Sequence, residues 1–389
     1  MPRKSRKQRS KRSMRLRRRF KHQKNKRLMA SLRGIRKLGR EEGYHEGYVR
    51  GRAAAITEQI RPEIPFREIH VLYVSTGKGF PYPPLDEGMT ATLRSMVSRL
   101  TTANPRDPIA AIAAQDRPDL VIVLDGMEFP VEQVIELRAN GIPTAIWLTD
   151  DPYYTDVMAN VVKHYDYVFT LEMNSVAYYE SIGCARVYYL PFGMYPGHYM
   201  PRITSKGRMN EVCFIGSAYW NRVQYFTPIF PAFMSYDSRI SGIWWDRIPG
   251  YERYEHKISL GSWMSPQETA DTYNQYKIVI NMHRSPDDNT VNSNSALIAA
   301  ASPNPRTFEI CGCATLQLTD VRSDLPRFYT PGVEIETYHS PEEMIQKINY
   351  YLKHEEERRE IALRGLARTL REHTYAHRLN QMLTITTDS

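Results

Sequence analysis

The sequence predicts two doubly wound α/β domains in tandem, preceded by a basic tail. Three observations lead there: short apolar runs recur along the chain, helix-length segments separate them, and the alternation restarts after a connector containing proline and glycine. Near-continuous apolar runs of four to eight residues suit strands buried on both faces, as in a parallel sheet covered by helices.

The first series runs "IHVLYV" (69–74), "DLVIVLDG" (119–126), "PTAIWLTDDP" (143–152), "YDYVFTLE" (165–172) and "VYYLPFG" (187–193), with helical segments expected at 86–101, 130–140 and 174–182. After the connector 194–210 come "EVCFIGS" (211–217), a helix from about 220 to 235, "ISGIW" (240–244), "YKIVINMH" (276–283), a short helix at 305–311 and "ATLQLTD" (314–320). Residues 341–373 are charged, amphipathic and helical. Ser340 is suited to cap them, Pro341 to the first helical position, and Glu342 and Glu343 to the positive end of the dipole. The expected division is a tail at 1–67 (disordered, then helical), a first domain at 68–195, a linker at 196–210, a second domain at 211–365 and a closing helix at 366–389.

Length permits this: 389 residues accommodate two domains of about 150 residues with extensions. No apolar run approaches the roughly 20 residues of a membrane span. The basic N-terminus has no apolar segment behind it, unlike a secretory leader. Cys184, Cys213, Cys311 and Cys313 are too few for a disulfide framework and read as reduced thiols, so a cytoplasmic protein is expected. Residues 1–40 hold 19 of the 52 Lys and Arg and none of the 43 Asp and Glu, so the body is acidic and the tail strongly cationic. The block 1–27 repels itself and predicts disorder. Its single aromatic, Phe20, argues against base stacking and leaves an anionic membrane surface, a polyanion or an acidic assembly as partners. Further on, Gly43, Gly47 and Gly51 recur every fourth residue, which admits a close helix partner or simply weakens a surface helix.

"PRTFEICGC" (305–313) raises the sharpest chemical question. Asn304 suits a cap, Pro305 the first helical position and Gly312 a helix end. Cys311 and Cys313 have the wrong spacing for a thioredoxin-type site and no second pair for zinc. Arg306 and Glu309 share one helix face. They form either a surface ion pair, or a site in which Glu309 accepts hydrogen bonds from sugar hydroxyls while Arg306 and helix N–H groups meet an anion. His283 and Arg284 end a buried strand on the side where such sheets bind ligands, and the polar stretch 285–295 reads as a mobile bordering loop.

"NPRTFEICGCATLQLTD", with "YKIVINMHRS" before it and "FYTPGVEIETYHSPEEMIQKINYYL" after it, resembles the C-terminal half of the CgeB-like glycosyltransferases, a group associated with spore maturation in Bacillus-type bacteria. "EHTYAHRLNQML", "DLVIVLDG", "IWLTDDP", "YDYVFTLE" and "YYLPFGM" fit the same pattern, and the likeness covers about residues 68–385. It implies a GT-B architecture, in which two Rossmann-like domains face a cleft and the C-terminal one holds a nucleotide-diphosphate sugar. On that likeness Glu309 takes the ribose-binding position and Arg306 meets the diphosphate. Gly216 and Ser217 match the loop that approaches the diphosphate, and Arg222 adds charge there. The likeness also implies no cofactor and no metal, the leaving diphosphate being met by basic side chains and helix dipoles.

The first domain is then expected to hold a polysaccharide or glycoprotein acceptor of a spore surface. Gly77, Lys78 and Gly79 follow its first strand but lack the spacing of a Walker loop. Asp125 and Asp151 follow later strands and are the candidate general bases, although Asp before proline is also an ordinary turn residue. A non-catalytic body of the same fold, recruited to a spore assembly through the tail, is the competing expectation.

Overall fold

A computed structural model describes residues 39–40, 43–204, 210–261 and 263–387. The predicted disorder of 1–27, most of the tail and residues 205–209 of the connector lie outside these. Residues 43–59 are helical, and a Cβ added at Gly43, Gly47 or Gly51 would meet nothing within 4 Å. Among the described residues, no packing requires glycine there.

The first sheet contains β1 (Arg67–Val74), β2 (Val97–Ala103), β3 (Leu120–Leu124), β4 (Thr144–Trp147), β5 (Tyr167–Thr170) and β6 (Val187–Tyr189), ordered β2-β1-β3-β4-β5-β6. All its pairings are parallel. The pleat sorts the apolar runs to two faces. Leu120, Ile122 and Leu124 join a core with the helix Pro83–Leu93, while Val121 and Val123 join one with the helices Ile109–Asp116, Val131–Ala139 and Met173–Ser181. Both faces are dry, which is why the strands read as unbroken apolar runs.

The second sheet contains β7 (Asn210–Ile215), β8 (Ser238–Gly242), β9 (Ile258–Leu260), β10 (Tyr276–Asn281), β11 (Leu316–Asp320) and β12 (Glu336–Tyr338), ordered β12-β11-β10-β7-β8-β9 and again parallel throughout. The strand order reverses between β1 and β3 in the first sheet and between β7 and β10 in the second. These are the two switch points where open α/β sheets take ligands.

The pattern reading holds for the buried strands and for the edge strand β6, and fails at the other three edges. Where a helix was expected over 86–101, the helix stops at Leu93 and β2 follows. β2 is an edge strand with half its residues exposed, so "VSRLTTA" lacks an apolar run. The short edge strands β9 and β12, and the helix Ile109–Asp116, were also missed. The stretch 341–373 is two helices, Pro341–Lys353 and Glu355–Glu372, and the second runs through the expected boundary at 365/366. It lies close on the helix Pro305–Gly312: a Cβ at Gly365 would stand 2.5 Å from the Glu334 carbonyl oxygen and 3.4 Å from Cys311 Sγ.

The chain then crosses back. Tyr375, Leu379, Met382 and Leu383 of the helix Tyr375–Thr387 are buried in the first domain's core, against Val71, Tyr73 and Met89. At the crossing the Met194 N–H donates to His373 and the Tyr375 N–H donates to Met194, lacing the two connections together. Leu379→Ala should therefore destabilise the first domain, not the second, by about 2–5 kcal/mol. Urea unfolding, with hydrogen exchange localised to each sheet, checks this. Equal loosening of both sheets would contradict the assignment.

Candidate functional site

Every singled-out residue sits beyond the C-terminal end of a strand, so the two switch points gather them by topology. Between the sheets lies a cavity of about 370 Å³. Its second-domain wall includes Gly216, Ser217, Arg222, His283, Arg284, Arg306 and Glu309, the whole expected donor-side set.

Asn304 caps the helix Pro305–Gly312, its side chain accepting from the Thr307 N–H at 3.2 Å. His283 fixes where that helix begins. Its Nε2 accepts from the Asn304 N–H at 2.9 Å, so the ring proton is on Nδ1, which lies 2.6 Å from Asp320. Burial lowers the His283 pKa to about 4, against the pull of Asp320, keeping the ring neutral. Burial alone would raise Asp320, but His283 and Arg322 hold it well below the usual carboxylate range. Both ring nitrogens of His283 are thus engaged within the protein, and its place in the donor site is as the pin that positions others.

Arg306 donates through Nη1 to the Ile215 carbonyl at 2.5 Å, placing its guanidinium across the β7 loop. Gly216 is required by that approach, since a Cβ there would stand 2.4 Å from Arg306 Nη1 and 3.0 Å from Arg222 Nη1. Arg222 is buried. It donates to the Ser217 carbonyl at 2.8 Å and the Met282 carbonyl at 2.5 Å, and its Nε has no partner. Burial, then the charge of Arg306, lowers it to about 9. Arg284 packs over the Tyr153 ring at 4.3 Å and donates to the Asn292 side chain and the Val291 carbonyl. Among the described residues, none of these three cations has a carboxylate within 4 Å; Arg306 and Glu309 face the same space without pairing. Desolvation, opposed by Arg306, raises Glu309 to about 7.

The first domain's candidates are arranged otherwise than expected. Lys78 Nζ lies 2.6 Å from Asp125 Oδ2, an ion pair across the β1/β3 switch point, and also sits over the Tyr82 ring at 4.5 Å. The other Asp125 oxygen accepts from Thr149 at 2.6 Å. Neither Asp125 nor Gly77, Lys78 and Gly79 lines the cavity. Asp151 is buried, with one oxygen accepting from Thr170 at 2.5 Å and the other from Tyr179 at 2.7 Å. Burial raises it to about 7 despite those bonds. Asp151 lines the cavity with both oxygens engaged by hydroxyls, whereas Asp125 is engaged by Lys78 and Thr149 away from it. Asp150, the neighbour of Asp151 in the same "TDDP" stretch, lines the cavity too: Oδ2 accepts from Tyr82 at 2.8 Å, with the Thr149 hydroxyl 3.0 Å away, and among the described residues no bond reaches Oδ1.

Sequence reasoning also missed Glu172. Buried after β5, it accepts from the N–H groups of Asn174, Ala301 and Ser302, each at 3.0 Å, and so ties the first domain to the segment leading into Asn304. The stretch 285–295, expected to be mobile, is held to the first domain as well. Ser295 bonds both oxygens of Asp156 at 2.8 Å, and Thr155 donates to Asn294 at 3.2 Å. Among the described residues no group of three His, Cys, Asp or Glu is placed to hold a metal ion, and none of the helices is long and apolar enough to cross a membrane. All four cysteines are buried, and none forms a disulfide.

A family model described as glycosyl transferase-like matches residues 228–384. The spore protein CgeB of Bacillus subtilis (strain 168) is 29% identical over 308 residues, which is 78% of this chain and 95% of that protein. The fold is similar to that of Anabaena HepE solved with UDP and glucose, at 10% identity and a TM-score of 0.56 over 82% of this chain and 100% of that one. It is also similar to a sucrose-phosphate synthase from Thermosynechococcus elongatus, at 10% identity and a TM-score of 0.57 over 82% and 99% of the two chains.

His283→Ala removes the acceptor for the Asn304 N–H and the donor to Asp320 together. A loss of about 2–3 kcal/mol is expected from such charge-assisted bonds. Chemical denaturation reads it, and an unchanged midpoint would remove His283 from its place as the pin.

Proposed function

Because the chain is a CgeB-like protein of the GT-B glycosyltransferases, we propose that it moves a sugar from a nucleotide-diphosphate sugar to a hydroxyl acceptor. One observation carries this reading: three guanidinium groups, Arg222, Arg284 and Arg306, line the β7/β10 switch point without a carboxylate partner, beside the close-packed Gly216-Ser217 turn. Such a wall suits a diphosphate. Glu309, one helical turn from Arg306, accepts the ribose hydroxyls. Arg222 works from below, as a buried charge that fixes the Ser217 carbonyl, and Arg306 reaches the anion with the nitrogen not used on Ile215. As the sugar's C1–O bond to phosphate breaks, the electron pair returns to the diphosphate, where these cations stabilise it without a metal ion. Kinship with a spore protein supports a spore-surface polysaccharide or glycoprotein as acceptor, and the cationic residues 1–40 support recruitment to an anionic surface or polyanion.

A second reading has its own support. Both expected bases, Asp125 and Asp151, are fully bonded within the first domain, as they would be in a non-catalytic spore assembly protein of the same fold.

UDP, GDP and TDP and their sugars, screened by thermal unfolding, separate the readings. Saturable stabilisation by one nucleotide, lost in Glu309→Ala, together with release of that nucleotide from its sugar, is the expected outcome. Stabilisation without turnover selects the assembly protein. No stabilisation by any nucleotide removes the donor site.

The raised pKa of Glu309 sets a pH dependence. Its carboxylate is the form that accepts ribose hydroxyls, so affinity should rise as pH increases through about 7. With hydrogen bonds to a charged group at about 1.5–3 kcal/mol, the affinity change is on the order of tenfold to a hundredfold. Titration calorimetry across pH 6–8 checks this, with Glu309→Gln expected to flatten the profile.

A further inference from the structure

We infer that the first-domain side of the cleft is an acceptor site for an amphipathic glycoside, one whose sugar hydroxyl binds Asp150 Oδ1 and whose apolar aglycone lies along Phe80, Pro81, Pro84 and Leu85. This rests on the donor reading of the opposite wall and narrows its acceptor from the polysaccharide or glycoprotein that kinship suggests to a glycoside carrying an apolar group.

Two features coincide on the first-domain side. One is a carboxylate held in place through a single oxygen. Tyr82 donates to Oδ2 at 2.8 Å, and the Thr149 hydroxyl, 3.0 Å from the same oxygen, has a single proton to share between Asp150 and the closer Asp125, so the group is held through Oδ2 while Oδ1 remains without a bond from the described residues. Thr149 also bonds Asp125, whose other oxygen holds Lys78, so the support extends into the ion pair at the β1/β3 switch point. An acceptor-only oxygen, oriented by hydroxyl donors behind it, suits a ligand hydroxyl. The other feature is the apolar wall between β1 and the helix Pro83–Leu93. Phe80 is 54% exposed, and with Pro81, Pro84 and Leu85 it lines the same cavity as Asp150. Trp263, 55% exposed, lines that cavity from the second domain. Exposed aromatic side chains converging on one cleft are unusual unless a ligand covers them, and aromatic faces suit sugar C–H groups and aryl or alkyl aglycones alike.

A free monosaccharide has C–H groups for one aromatic face but hydroxyls around its rim, and it would leave the rest of the wall formed by Phe80, Pro81, Pro84 and Leu85 wet. A purely apolar ligand would leave Asp150 Oδ1 desolvated without a donor, which is unfavourable. A glycoside with an apolar aglycone meets both demands. Its hydroxyl at Asp150 would be within the same cavity as Arg306 and Glu309, where the donor sugar must sit.

The test uses the full chain and p-nitrophenyl hexopyranosides of the gluco, galacto, manno and N-acetylglucosamine series, with and without saturating UDP, observed by saturation-transfer NMR. Wild-type protein should transfer magnetisation to the nitrophenyl ring and to one face of the sugar in at least one of the four. Asp150→Asn retains an oxygen for Tyr82 and Thr149 and presents an NH2 in place of Oδ1. It should weaken glycoside binding about tenfold or more. Phe80→Ala should reduce the nitrophenyl contact first. Both variants should keep the thermal stabilisation that UDP gives the wild type, showing that the fold and donor wall persist. Failure of all four glycosides to bind, or unchanged binding in both variants, overturns the proposal. So does loss of the UDP response in Asp150→Asn, which would move that residue to the donor side. If UDP fails to stabilise the wild type while the glycosides bind, the donor reading falls and the acceptor wall stands.

Discussion

The neutral imidazole of His283 is the constraint on which the cleft depends. It ends β10, donates to the carboxylate that ends β11, and accepts the N–H of the residue that caps the helix Pro305–Gly312. Three elements are thereby fixed by one ring whose two nitrogens have opposite roles, which only the neutral form can supply. Protonation at Nε2 would turn that acceptor into a donor facing the Asn304 N–H, and burial resists this by lowering the pKa to about 4. Arg306 and Glu309 inherit their positions from that pin, because they ride on the first turns of the helix it anchors.

The cap has a second restraint, supplied from across the cleft. Glu172 is a carboxyl group buried after β5, where desolvation raises its pKa and three backbone N–H groups oppose that shift. Two of those donors, Ala301 and Ser302, precede Asn304 in the chain. The Asp156–Ser295 and Thr155–Asn294 bonds hold the start of the same segment. The second domain's ligand-facing loop is therefore secured at both ends to the first domain. A movement that opens the cleft must break these bonds or carry the loop along. The geometry of the arginine wall is in this way coupled to the separation of the two sheets.

How far the sequence could be read follows from which interactions are local. The two-sheet architecture was legible because both faces of each sheet are buried, so β3 and β10 appear as apolar runs in a single sequence. β2, β9 and β12 were not, because β2 has a solvent-facing side and β9 and β12 extend for three residues without the apolar continuation that marks the equally short β6 in "VYYLPFG". On the second domain local signals placed the candidates: Gly216, Arg306 and Glu309 line one cavity because a strand-to-helix turn and a capped helix put them there. On the first domain the sequence did not separate the carboxylates. Asp125, Asp150 and Asp151 all follow apolar strands, and what separates them is the partner each meets: Lys78, Tyr82 with Thr149, or Thr170 with Tyr179. Those partners come from other strands and helices, so no local spacing records them. The return of the helix Tyr375–Thr387 to the first domain is long-range for the same reason.

The arginine wall also bears on stability. Arg222 is a buried cation with two carbonyl acceptors, an unpartnered Nε and no carboxylate within 4 Å among the described residues, beside another cation, Arg306. Such an arrangement opposes folding, since desolvation and like-charge repulsion act together. Placing Glu309 against Arg306 would relieve it and would also neutralise the wall. The helix instead holds the pair on one face without an ion pair, leaving Glu309 raised to about 7 and the guanidinium charge uncompensated. A fold that keeps its charges unpaired gives up stability at that point, and an anionic ligand in the cavity would return it by binding the folded state alone. The same electrostatics that destabilise the empty cleft thus favour an anionic ligand there over a neutral one.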